Sequence, residues 1–348
     1  MSIGFLGFNL FIEVLNQCRW SCPGCHVDKK NSERGFLDGD ARRLIALSEE
    51  FRGQGHALQR FFVGPTDFLT AENWDLIAES ETFRELASLY STLAVYSTLL
   101  GDDEVLDRRL TQLNRIHPAI KLVIPIMPAD VLQRPEYLRR LRRSVNRVKS
   151  GFGIHDFQMV FNVLPREGED FRKVSETFMH EFGVKPEYNL SFARSADLKR
   201  DRAELVRQLD HIYRQLDFHI DRDGSQDESV EDWFVKCAVY REGELYSMPL
   251  LLDPFVNYHP AFRYSQDWSY AGLQKFESER ILRAYAACDA MEECGPCPYL
   301  GLCSHLGVLD LMSEMGERRC IAPRSHFQDA NELSGFRLWP WGYRAESP

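Results

Sequence analysis

The strongest constraint on the fold is a regular alternation of strand-like and helix-like segments over residues 8–216. Residues 8–15 form a short apolar run without helical caps and read as a strand. Residues 60–64, 93–98, 120–126, 157–163 and 188–192 read the same way. Between them lie helical patterns at 40–51, 74–90 (in two pieces), 103–116, 135–149, 171–181 and 197–216. Asp40 stands where an N-cap is expected, and Leu44, Ile45, Leu47 and Phe51 supply an apolar stripe. Pro135 opens its helix at the first turn, where a missing N–H costs nothing. Alternation of this kind implies parallel strands joined by right-handed crossovers. Eight units close a barrel; six predict an α/β fold of the partial (βα)6, TIM-like kind. In such sheets chemistry gathers at the carboxyl ends of the strands.

The pattern changes near residue 221. Residues 221–231 are polar and acidic and read as a linker, and 233–246 alternate around Gly243 like a β-hairpin. A helix is expected at 277–287 within an otherwise loop-like, cysteine-rich segment. The 348 residues therefore divide into a barrel at 1–222, a small cysteine-rich C-terminal extension at 223–330 and an aromatic tail at 331–348.

Charge and hydropathy exclude several classes. Forty-two basic against 52 acidic residues give a net charge of -10, which argues against a chain-wide nucleic-acid footprint. No apolar run reaches the roughly 18–20 residues of a membrane span. The apolar N-terminus has no basic residue before Arg19 and is interrupted by Glu13, so a secretory signal is not expected there. A cytoplasmic protein is expected. No Walker loop, GxGxxG or Ser–His–Asp arrangement is recognisable.

The nine cysteines carry the chemistry. They are too few for a disulfide scaffold, and an odd number cannot pair completely. Cys18, Cys22 and Cys25 lie within eight residues, directly after the first expected strand, with C-x3-C-x2-C spacing. Three thiolates on one loop fit either a [4Fe–4S] cube with one open iron or a zinc knuckle completed by His26. Placement after the first strand of a βα array favours the cube. Cys294, Cys297, Cys303 and Cys320 follow C-x2-C-x5-C-x16-C spacing. Four thiolates close a site, either zinc or a second [4Fe–4S] cluster.

With these motifs the chain resembles the radical S-adenosylmethionine (radical SAM) superfamily over its six βα units. The resemblance implies that Cys18, Cys22 and Cys25 hold a cluster whose open iron takes the amino and carboxylate groups of SAM. It further implies reductive cleavage of SAM to a 5′-deoxyadenosyl radical, with an electron donor such as flavodoxin or ferredoxin as partner. Gly24 stands where many members carry an aromatic residue. After the second strand the family has a Gly-Gly-Glu-Pro-like segment that binds the SAM amino group. Here the residues are Gly64, Pro65, Thr66 and Asp67, with Asp in place of Glu. Gly64 would let the backbone approach the ligand, and Thr66 and Asp67 would accept from its ammonium. Ser97 and Thr98 after the third strand, Asn162 in the fifth and Arg194 after the sixth are further cofactor-binding candidates.

The C-terminal extension resembles the SPASM extension of radical SAM peptide maturases. That resemblance implies one auxiliary cluster on Cys294, Cys297, Cys303 and Cys320. The resemblance implies that the first of the extension's two usual clusters is lost, because Met248 stands where a ligand belongs after Cys237 and Gly243, and Gly307 stands where another is expected. Cys237 and Cys288 are left over. A lone Cys is most often a small hydrophobe; the sharper reading makes Cys237 a hydrogen-atom donor to a substrate radical. Residues 134–149 place a basic face on a helix, read as solvated, with docking of an acidic peptide as the alternative.

Modification of a ribosomally made peptide is the leading expectation. The first strand starts near residue 8, so leader recognition is expected to need a separate leader-peptide-binding protein or the basic helix at 134–149. The alternative is a radical epimerase, dehydrogenase or decarboxylase of a sugar, aminoglycoside or nucleoside. From another class, a zinc-stabilised binding protein fits the same cysteines. No nucleic-acid or membrane partner is expected.

Overall fold

Six strands alternate with helices as the sequence pattern requires. In the computed structural model the described residues are 7–13, 38–64, 66–71, 74–126, 134–163, 171–183, 187–190, 235–247 and 263–290. Strands β1 (Gly7–Glu13), β2 (Ala57–Val63), β3 (Thr92–Tyr96), β4 (Ile120–Ile126), β5 (Asp156–Val163) and β6 (Glu187–Leu190) lie side by side in chain order, each parallel to the next. Two more strands extend the sheet beyond β1. β7 (Val235–Arg241) runs parallel to β1 without a register break, and β8 (Glu244–Ser247) returns antiparallel to it. The hairpin expected around Gly243 is thus present. Its turn residues Glu242 and Gly243 have φ of 52° and 83°, the left-handed pair that a two-residue hairpin turn matching strand twist needs. Residues 235–247, expected within the C-terminal extension, therefore extend the barrel sheet. The boundary near 222, the helix expected at 197–216 and the linker at 221–231 lie outside the described residues.

Alternation along the strands divides their side chains between two faces. Phe8, Leu10 and Ile12 of β1 face the helix layer with Phe61 and Val63 of β2, Leu93 and Val95 of β3, and Leu122 and Ile124 of β4. Against them pack α1 (Asp38–Gly53), α2 (Trp74–Glu79), α3 (Glu81–Ser88), α4 (Asp103–Ile116), α5 (Pro135–Phe152) and α6 (Phe171–Phe182). Phe8 stacks on Phe51 of α1 at 4.1 Å between ring centres, and Phe61 meets Phe83 of α3 at 5.6 Å. The opposite, concave face carries a second apolar cluster of Ala94, Val123 and Val160 with Phe62 and Tyr96. Phe11 closes it, 5.9 Å from Phe62 and 5.6 Å from Tyr96.

The helix ends follow local chemistry. Ser80 separates α2 from α3 and caps α3 by accepting from the Phe83 N–H at 3.2 Å. Asp102 caps α4 by accepting from the Glu104 and Val105 N–H groups at 3.0 and 3.2 Å. α5 begins at Pro135 and ends at Gly153 with φ 67°, a left-handed stop that glycine adopts without strain. Asp40 differs from expectation. It lies inside the first turn of α1, which starts at Asp38, and its Oδ2 accepts from the buried Tyr240 hydroxyl at 2.7 Å. A carboxylate two residues into the helix thus reaches strand β7.

The helix expected at 277–287 is longer, running Tyr270–Ala290 (α7). α7 and the segment before it lean on α1. Arg43 lies 3.7 Å from the centre of the Trp268 ring, and Tyr270 meets Phe51 edge-on at 4.9 Å. The basic face of α5 is largely engaged within the chain. Arg147 bridges Asp103 at 2.8 Å and Asp107 at 2.9 Å, and Arg142 meets Glu181 at 2.7 Å. The Arg142 bond holds the exposed Glu181 carboxyl below its ordinary range. The sequence reads this face as solvated; in the structure Arg142 and Arg147 instead tie the helix to α6 and α4. No helix among the described residues is long and apolar enough to cross a membrane.

Candidate active site at the carboxyl edge of the sheet

All strands from β1 to β7 are parallel, so their carboxyl ends share one edge. The segments following β2 and β3 meet there. Asp67 is buried, and its carboxylate gathers the loop after β3. Oδ1 accepts from the Ser97 hydroxyl at 2.8 Å, and Oδ2 accepts from the Thr98 hydroxyl at 2.5 Å and the Thr98 N–H at 3.2 Å. The two hydroxyls pass the link onward. Ser97 Oγ accepts from the Leu99 N–H at 3.1 Å, and Thr98 Oγ1 from the Leu100 N–H at 3.4 Å. Leu99 sits at φ 54°, a left-handed conformation that strains a branched residue, and it is buried. From the other side Arg140 of α5 donates to the Leu100 carbonyl at 2.6 Å and the Gly101 carbonyl at 3.1 Å. The loop after β3 is therefore held in a strained shape by an aspartate and an arginine.

Gly64 ends β2 with its N–H donating to the Ile12 carbonyl at 3.1 Å. A Cβ at this position would lie 2.7 Å from the Tyr96 ring, so only glycine lets the ring cover the strand end. Thr66 is 2% exposed, and its hydroxyl oxygen has no hydrogen-bond partner among the described residues. An orphaned buried hydroxyl is uncommon, since buried polar groups are nearly always paired. The Asp67 carboxylate stands next to it in sequence and brings negative charge to the same edge. A strand end without a side chain, an orphaned hydroxyl acceptor and a buried carboxylate together fit a ligand bearing an ammonium group.

A second group of charges lies beside this one. Glu13 ends β1, paired in register with Arg241 at the end of β7. By alternation with Phe11 it belongs to the concave face. Its side chain is 3% exposed, Oε2 lies 3.6 Å from Arg241 Nε, and Oε1 has no partner among the described residues. Burial pushes its pKa up to about 8, Arg241 pulls it back, and Glu242 adds to the rise. In the sequence Glu13 reads only as a charge that breaks an apolar run. The available signal is a carboxylate two residues after an apolar concave-face position, at a strand's carboxyl end.

The structure thus brings Gly64, Thr66, Asp67, Ser97 and Thr98 together. Asn162 has its backbone in β5, paired with Asn189 of β6. Cys237 is half-buried in β7, opposite Asn9. It stands four residues before Arg241, roughly 13 Å down the strand from the edge where Asp67 lies. Pro65, Arg194, Cys18, Cys22, Cys25, Cys294, Cys297, Cys303 and Cys320 lie outside the described residues.

No protein-family model matches the chain, and no curated protein matches its sequence. Solved structures do match its fold. Native anSMEcpe with bound AdoMet superposes with a TM-score of 0.56 at 12% identity, over 94% of this chain and 97% of its own. The histidine-tagged form of anSMEcpe with bound AdoMet gives 0.52 at 13% identity, over 86% and 88%. Streptococcus suis SuiB bound to S-adenosylmethionine gives 0.37 at 13% identity, over 61% of this chain and 45% of its own. The fold is a partial α/β barrel of the kind found in anSMEcpe.

Proposed function

We propose that this chain is a radical SAM enzyme that modifies a C–H position of a ribosomally made peptide. The observation that carries the reading is the edge just described. There Gly64, the orphaned Thr66 hydroxyl and the buried Asp67 meet, on a fold similar to one that holds AdoMet, and the C-x3-C-x2-C spacing of Cys18, Cys22 and Cys25 in the sequence supports the same reading. Thr66 Oγ1 and Asp67 accept from the SAM ammonium, and Gly64 keeps the strand end open to it. Ser97 and Thr98 orient the Asp67 carboxylate. Asn162 and Arg194 are proposed to contact the rest of the cofactor. Cys18, Cys22 and Cys25 hold the SAM-binding [4Fe–4S] cluster, and Cys294, Cys297, Cys303 and Cys320 an auxiliary one. The first cluster, when bound, supplies the electron that cleaves SAM to a 5′-deoxyadenosyl radical. The strained loop after β3 and the apolar wall of Phe11, Phe62 and Tyr96 keep water from that edge.

The test is anaerobic reconstitution followed by addition of SAM and dithionite. About eight irons per chain and 5′-deoxyadenosine formation are expected. Cys18→Ala, Cys22→Ala and Cys25→Ala each abolish that product. Zinc without iron overturns the reading in favour of a binding protein. A precursor-peptide gene beside this one, and a mass change in that peptide, test the substrate class; a sugar, aminoglycoside or nucleoside product overturns it. Cys237→Ala tests hydrogen-atom donation, because unchanged product and turnover remove Cys237 from the chemistry.

A further inference from the structure

Glu13 is not absorbed by the cofactor reading. It sits one strand over from Gly64, whose N–H bonds to the residue before Glu13. Strands are spaced about 4.8 Å apart, so it borders the proposed SAM site on the side facing β7. Its surroundings are Phe11 below, Arg241 to one side, and Gly64 under the Tyr96 ring to the other. Arg241 Nε lies 3.6 Å from Oε2, a distance for charge attraction and not for a hydrogen bond. Oε1 is buried and unpartnered among the described residues. A buried carboxyl oxygen without a partner is costly, and such a group needs an explanation at a functional edge.

We propose that Glu13 anchors an amide group of the substrate, a peptide backbone unit being the ligand that fits. This deepens the peptide reading above and rests on it. A carboxyl group presents two oxygens in one plane, and a residue of an extended peptide presents its own N–H and C=O to the same side. The N–H donates to Oε1. The C=O of that residue accepts from the acid proton on Oε2 or from the Arg241 guanidinium, a planar fork of N–H donors. Burial keeps Glu13 in its acid form over much of the neutral range, and that form can both accept the N–H and donate to the C=O. Glu13 is thus a positioning residue for the substrate.

The probe is N-acetyl-dialanine amide, titrated into the anaerobically reconstituted full chain with SAM present. Wild type binds it, and an analogue with the central amide replaced by an ester binds about tenfold more weakly. Glu13→Gln keeps a donor and an acceptor and retains binding within about threefold of wild type. Glu13→Leu binds amide and ester probes alike, each about tenfold below the wild-type amide value. Absent wild-type binding, equal wild-type affinity for amide and ester, or full amide affinity in Glu13→Leu overturns the inference. Should Glu13→Leu not fold, the amide–ester comparison on wild type and Glu13→Gln decides. 5′-Deoxyadenosine formation in the same preparation separates the outcomes. If it forms while the amide preference fails, only this inference falls; if it does not form, the enzyme reading falls.

Discussion

Replacing Glu13 by Gln should make the protein more stable, and increasingly so as pH rises. The folded-state pKa is about 8, against an ordinary 4.5. Below pH 4.5 the carboxyl is protonated in both folded and unfolded chains and costs nothing. Above it the unfolded chain ionises freely while the folded chain must hold its proton. Stability therefore falls with pH until the folded group ionises too, near pH 8. At 1.36 kcal/mol per pH unit the full gap from 4.5 to about 8 amounts to about 5 kcal/mol. About 2 kcal/mol of this develops between pH 6 and pH 8. Unfolding entropy near 2.1 cal/mol/K per residue over 348 residues is about 0.7 kcal/mol/K. The melting point of Glu13→Gln relative to wild type should then rise by ~3 °C from pH 6 to pH 8. Circular dichroism melts of the reconstituted proteins at these pH values measure it. A difference that stays constant, or that shrinks with pH, refutes the reasoning and means Arg241 holds Glu13 ionised.

Gly64→Ala drives a methyl into the Tyr96 ring, and should cost about 1–3 kcal/mol in melts and depress SAM cleavage more than stability explains. Asp67→Ala strands the Ser97 hydroxyl and both Thr98 donors; a loss of about 3 kcal/mol and of 5′-deoxyadenosine formation is expected. Ser80→Ala removes the α3 cap and should lower stability by about 1 kcal/mol while leaving SAM cleavage unchanged.

Much of the architecture was legible in the sequence because it is written in local periods. β4 and α4 fall on the expected residues, and the break at Ser80 and the hairpin at Glu242–Gly243 follow from cap and turn chemistry. The Gly64–Asp67 segment draws notice in the sequence through its position after the second strand, and the structure packs Asp67 against Ser97 and Thr98. What escaped depends on pairing between distant residues. Asp40 reads as a cap because its sequence neighbours are helical; its partner Tyr240 is 200 residues away. Glu13 reads as an interruption because its environment comes from Arg241, brought alongside only when β7 pairs with β1. The role of Ser97 and Thr98 in steadying Asp67 likewise needed two loops to be seen at once.

The parallel pairing of β7 with β1 also sets an order of events in the cell. β1 is the first of these strands to be made, and one of its flanks is covered by residues 235–241, some 220 positions later. Until then the nascent chain presents an apolar strand with an open flank, an invitation to pair with a neighbouring chain. A fragment that stops before β7 would keep that flank permanently bare, so the barrel alone should be recovered as aggregate. The C-terminal hairpin is thus the closing piece of the barrel sheet itself.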